Sequence, residues 1–151
     1  MDEFEKVVDE LKEINLPYGL FDVDIEGKFL RYLGKIKDIS CEVVYDDSDK
    51  KIEVRLEKEF EFGAWEEEDE RITKTTGIEQ NVKKVYAPLL QYLKDLNFEE
   101  FHDIFYSHDA GTGEETGGSV FWSYSQKANS TKEAGKHLVN IFKILKNIAM
   151  R

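Results

Sequence analysis

A histidine beside an aspartate at the end of a strand can share a metal ion or relay a proton. His108-Asp109 offers that pair, inside the stretch YSHDAGTGEETGGSVFW at residues 106–122. Glycines 111, 113, 117 and 118 follow closely, which also raises the question of a phosphate cradle. A phosphate loop needs backbone N–H groups at a helix N-terminus, and the Walker pattern adds Gly-Lys-Ser/Thr. Here the loop holds Glu114 and Glu115, has no lysine, and runs into the aromatic run SVFWSYS. Its acids would repel phosphate. It reads as a hairpin tip whose glycines accommodate positive φ.

The other reactive residue types give no better constellation. His102 and His108 lie on one predicted strand, roughly 20 Å apart at ~3.3 Å per residue, too far for one metal ion. His137 borders the apolar stripe of the last helix. Serines 107, 119, 123 and 125 lack the Gly-x-Ser-x-Gly setting of a nucleophile elbow. Cys41, the single cysteine, alternates with Ile39, Val43 and Tyr45 and reads as a small core residue of a reducing compartment. DVDIEG at 22–27 mimics the opening of a calcium loop, but Leu33 stands where position 12 needs a bidentate acid. No catalytic residue, metal site or cofactor is assigned. A metal-dependent hydrolase using His108 and Asp109 remains the alternative function.

What must position these residues is an α+β chain. Phe4, Val7, Val8, Leu11 and Ile14 share one helical face, and Pro17 ends that helix. Residues 20–33 switch to a period of two, with a turn at Glu26-Gly27. Ile39, Cys41, Val43 and Tyr45 form one strand face, DDSDK a turn, and KIEVRLEKEFEF the return. Ile52, Val54, Leu56, Phe60 and Phe62 point one way there; Glu53, Arg55, Glu57, Glu59 and Glu61 point the other. Residues 63–80 read as a polar connection. A helix through Val82, Val85, Leu89, Leu93 and Leu96 is interrupted or begun by Pro88. FHDIFYSH and SVFWSYS then pair around the glycine loop, and Ser130-x-x-Glu133 opens a final helix.

The prediction is a single domain over 1–151: an antiparallel sheet of five to six strands with three main helices, in the order α-β(3-4)-α-β-β-α. The expected core includes Val7, Leu11, Cys41, Val43, Val54, Leu56, Leu89, Leu93, Phe121, Leu138 and Phe142.

Charge points to the kind of partner. The chain carries 32 acidic and 21 basic residues, a net charge of −11. That works against nucleic acid, where phosphate neutralisation supplies most of the affinity, and no apolar run approaches a membrane span. The charged N-terminal stretch lacks a signal region, so a soluble cytoplasmic protein is expected. Between residues 57 and 70 stand eight acids and one base, Lys58. This run is either a solvated surface or a docking surface for a basic protein or peptide, with Trp65 as its anchor and Glu66, Glu67, Glu68, Asp69 and Glu70 as its charges. SVFWSYS is aromatic on both faces. Trp122 and Tyr124 are therefore named as further partner-binding residues, covered by a helix, a second subunit in a homodimer, or a partner.

The segments FEKVVDELKEI, ISCEVVYDDSDKKIEVRLEKEF, VKKVYAPLLQYLKDL, FHDIFYSH with SVFWSYS, and KEAGKHLVNIFKILKNI together resemble, in order and acidity, the fold of type III secretion chaperones and of the YbjN family. The resemblance implies a small, dimeric, non-enzymatic protein, chaperone- or adaptor-like, that holds a partner polypeptide. The strand at 20–25 and the acidic connection at 63–80 depart from that pattern.

Overall fold

A computed structural model describes residues 2–151. The chain opens with α1 (Glu3–Ile14), whose first turn is capped by the Asp2 carboxylate accepting from Glu5 N at 2.9 Å. This cap satisfies one of the N–H groups that every helix start leaves without a partner. Phe4, Val7, Val8 and Leu11 are the buried stripe of α1. Four strands follow: β1 (Gly19–Asp24), β2 (Phe29–Ile36), β3 (Ile39–Asp46) and β4 (Lys51–Glu61). Two helices, α2 (Glu68–Val85) and α3 (Ala87–Asp95), lead to the hairpin β5 (Glu99–His108) and β6 (Glu115–Lys127). The last helix is α4 (Thr131–Ala149). Ser130 Oγ accepts from Glu133 N at 3.1 Å, and the Glu133 carboxylate takes the N–H of Asn129, one residue before the cap.

The expected α+β class is found, with four helices instead of three. The segment read as a polar connection holds most of α2. That helix buries only Thr75 and Val82, so it carries almost no apolar period to announce it. Its signal is charge: Glu68, Asp69 and Glu70 sit in the first turn and Lys83 and Lys84 in the last, each matching the helix dipole. Pro88 stands in the first turn of α3, where the missing N–H costs nothing.

All six strands are antiparallel, in the order β1-β2-β3-β4-β6-β5. Register places Cys41, Leu56, Trp122 and His102 in one row across β3, β4, β6 and β5. The side facing the helices is the core: Leu30, Tyr32, Cys41, Val43, Val54, Leu56, Val120, Trp122 and Tyr124 pack against Leu11, Leu89, Leu93, Leu138 and Phe142. Beneath this layer α1 and α4 lie against each other, while α2 reaches β4 and β6. Phe121 differs from expectation. It is buried yet lies outside the core, because it points to the opposite side of β6 from Trp122.

Among the described residues no helix is long and apolar enough to cross a membrane. No helix lies on the opposite face of the sheet among the described residues.

Candidate functional site

The uncovered face is built by the outward-pointing residues of each strand. On β4 these are Glu53, Arg55, Glu57, Glu59 and Glu61; on β6 Ser119, Phe121 and Ser123; on β5 Phe101, Asp103 and Phe105. Register sets Glu57, Phe121 and Asp103 in one row, with Arg55, Ser123 and Phe101 in the next. Phe121 is thus an aromatic flanked by two carboxylates.

Three phenyl rings meet here. The Phe105 ring stacks on Phe121 at 4.8 Å between centroids, and Phe101 lies at 5.6 Å from it. The Arg55 guanidinium sits 5.5 Å above the Phe121 ring. Phe121 is 6 % exposed beneath these neighbours, whereas Phe101 and Phe105 remain 56 % and 54 % exposed. The Arg55 guanidinium already occupies the cation–π position over the Phe121 ring, so an incoming cation would meet the exposed Phe101 and Phe105 rings.

Beside the cluster the face hollows into a trough of about 1010 Å³, bordered by Lys35, Ser40, Glu57, Glu59, Ser119 and Phe105. Gly117 and Gly118 border its Glu61 end without side chains. A Cβ on Gly118 would stand 1.8 Å from the Phe105 carbonyl oxygen, so glycine is what lets β5 and β6 approach there. The glycine loop expected between FHDIFYSH and SVFWSYS is correspondingly shorter. Gly117 and Gly118 belong to β6, and only Asp109 to Glu114 connect the strands.

Within that connection Asp109 folds the turn. Its Oδ1 accepts from Gly111 N at 2.7 Å and Thr112 N at 3.2 Å, and Gly113 takes φ of 75°. His108 points to solvent after a register shift at the strand end. Among the described residues no three His, Cys, Asp or Glu side chains are grouped closely enough to hold a metal ion. The hydrolase alternative has no ligand set on these residues.

Of the residues named from sequence as partner-binding, Trp122 and Tyr124 are corrected. They are 1 % and 4 % exposed, covered by the chain's own helices, and present no surface to a partner. Trp122 instead stacks on His102 at 4.6 Å, while His102 bonds the Phe121 carbonyl at 2.9 Å and Glu79 of α2 at 3.3 Å. Trp65 is 95 % exposed in the turn leading from β4 to α2. Glu66 is engaged: Lys74 Nζ lies 2.5 Å from its carboxylate, and that hydrogen bond holds the Glu66 carboxyl below its ordinary range. Glu67, Glu68, Asp69 and Glu70 are exposed around the start of α2. The loop and the uncovered sheet face are two acidic surfaces joined through β4.

Cys41 is fully buried, and burial pushes its thiol up to about 12, which keeps it a thiol. His137 lies 3.5 Å from Glu133 and 3.4 Å from the Tyr92 hydroxyl, at the border of the core as its position suggested.

The residues that sequence reasoning missed are Phe101, Phe105, Phe121 and Arg55. Their signal was parity: 101 and 105 share one side of β5, and 121 is out of phase with Trp122. No protein-family model, curated protein or solved structure matches the chain.

Proposed function

We propose that this protein is a non-enzymatic binding module, chaperone- or adaptor-like, which holds a basic polypeptide segment on the uncovered face of its sheet. One observation carries the reading. Three phenyl rings, two of them half exposed, are bordered by Glu57, Glu59 and Asp103 on a face that no helix covers. Exposed apolar patches rimmed by charge mark sites of association. Exposed charges alone contribute little, typically below ~1 kcal/mol per pair, so the rings supply the contact area and the acids choose its sign.

The exposed Trp65 and residues 67–70 extend the acidic surface beyond the Glu61 end of β4 and form a second contact for a long segment. The chaperone resemblance belongs to the same proposal, although β1 and the 63–80 segment that holds most of α2 depart from it. A homodimer through Trp122 loses its surface, and a face this acidic favours a basic partner over a second copy.

The test is fluorescence anisotropy with a labelled lysine- and leucine-containing peptide and its glutamate counterpart. The basic peptide should bind, more weakly as salt rises, and the acidic one should not. Reversing Glu57, Glu59 and Glu61 to lysine should abolish binding in a variant whose circular dichroism is unchanged. Equal binding by that variant, or no binding of any basic peptide, would overturn the proposal.

A further inference from the structure

β5 closes one side of the sheet, and among the described residues no strand pairs with its outer edge. An edge strand leaves a row of backbone N–H and C=O groups unpaired, and proteins blunt such edges with lysine, proline, bulges or a covering element. β5 uses almost none of these. It is ten residues long, EEFHDIFYSH, with no lysine, arginine or proline, and its one register shift falls at Ser107/His108, leaving the strand before it regular. The opposite edge, β1, is shorter at six residues and is held on the helix side by Phe21, whose ring meets Phe142 at 5.4 Å. Along β5 every residue is exposed except Ile104, which is partly buried.

We infer that β5 takes up the partner as a seventh strand: an extended basic segment pairs backbone to backbone along this edge. Such a mode presupposes that the protein binds a basic segment at all, and it adds the conformation and the side-chain order of that segment. Side chains of an added strand alternate between the two sides of the sheet. One set falls beside Glu99, Phe101, Asp103 and Phe105, where acids and ring faces suit lysine or arginine. The other falls beside Glu100, His102, Ile104 and Tyr106, where β-branched apolar residues fit along the stretch from His102 to Tyr106. The segment is therefore one with a period of two, basic and apolar in turn. A second copy is the poorer occupant: it would bring Glu99, Glu100 and Asp103 to an edge that already holds those acids and no lysine or arginine.

The probe is a ten-residue peptide alternating lysine and valine, with two derivatives N-methylated at every lysine or at every valine. In a strand, alternate N–H groups point to the same edge, so each derivative blocks one edge only. One derivative should lose about tenfold or more in affinity and the other should bind like the parent, since two or more backbone hydrogen bonds are at stake. Hydrogen exchange should slow in β5 when the parent peptide is present. If both derivatives bind as the parent does, strand addition is wrong while the binding face stands. If the parent itself fails to bind, both ideas fall. If β5 is already protected without peptide in a self-associated protein that Phe105→Glu dissociates, the occupant is a second copy and the inference is overturned.

Discussion

Asp47 is one of two polar residues in the described chain that are buried, at 8 % exposure, and it ties the β3–β4 turn to the start of α4. Its Oδ1 accepts from the Tyr45 hydroxyl at 2.5 Å and from the Thr131 hydroxyl at 2.6 Å, with Lys50 Nζ 3.6 Å away. Burial works to raise its carboxyl, but the two hydroxyls together with Lys50 and Lys28 outweigh burial and hold it below 3.8. Replacing Asp47 with alanine leaves two hydroxyls without their acceptor. Charge-assisted hydrogen bonds are worth ~1.5–3 kcal/mol each, and two on one oxygen do not add fully, so the expected loss is about 3 kcal/mol. At this chain length that lowers Tm by roughly 6–12 °C. Because the folded carboxyl sits below its unfolded value, its ionised form stabilises the fold. That contribution is complete above pH ~4 and disappears as pH falls through the folded value. Urea unfolding of the native protein and Asp47→Ala from pH 7 down to about pH 2.5 should show a gap that is constant at first and then narrows. A loss under about 0.5 kcal/mol at pH 7 would refute the network. So would a gap that stays unchanged in acid.

Three further outcomes follow from the packing. Cys41, whose thiol burial raises far above its ordinary value, stays protonated at pH 8. It should resist a thiol reagent in the folded protein and react stoichiometrically in urea; ready reaction of the native state would place it nearer the surface. Gly118→Ala should cost about 1–3 kcal/mol and speed hydrogen exchange in β5, because its methyl would collide with the Phe105 carbonyl. An unchanged melting curve would mean that β5 and β6 do not meet this closely. Acrylamide should quench the fluorescence of exposed Trp65 strongly, and emission from buried Trp122 in a Trp65→Phe variant should resist it; equal quenching in both proteins would remove Trp122 from the core.

Parts of this architecture were readable from residue order because one physical signal dominated each of them. The stripe Phe4, Val7, Val8 and Leu11 marks α1, and the alternation from Ile52 to Glu61 marks β4 with its buried and wet sides. Ser130 and Glu133 mark the start of α4. α2 escaped because its stability does not come from an apolar stripe: a helix that buries Thr75 and Val82 alone looks polar in every window. The candidate site was half legible. Alternation shows that Phe121 and Trp122 point opposite ways, but both sides of SVFWSYS are aromatic, so period alone cannot choose the core side. That choice is made by register over long distances. Trp122 falls opposite Leu56 and under the helices, while Phe121 falls between Glu57 and Asp103. His108 and Asp109 attracted notice for their chemistry, and Asp109 turned out to serve the turn.

The central claim is that the uncovered sheet face is the binding surface. Its most direct test is a titration of the ¹⁵N-labelled protein with the basic peptide, followed by amide chemical shifts. The shifts expected to move are those of residues 57–61, 101–105 and 119–121, with α1 and α4 unmoved. Movement confined to residues 65–70 or to α4, or none at millimolar peptide, would contradict it.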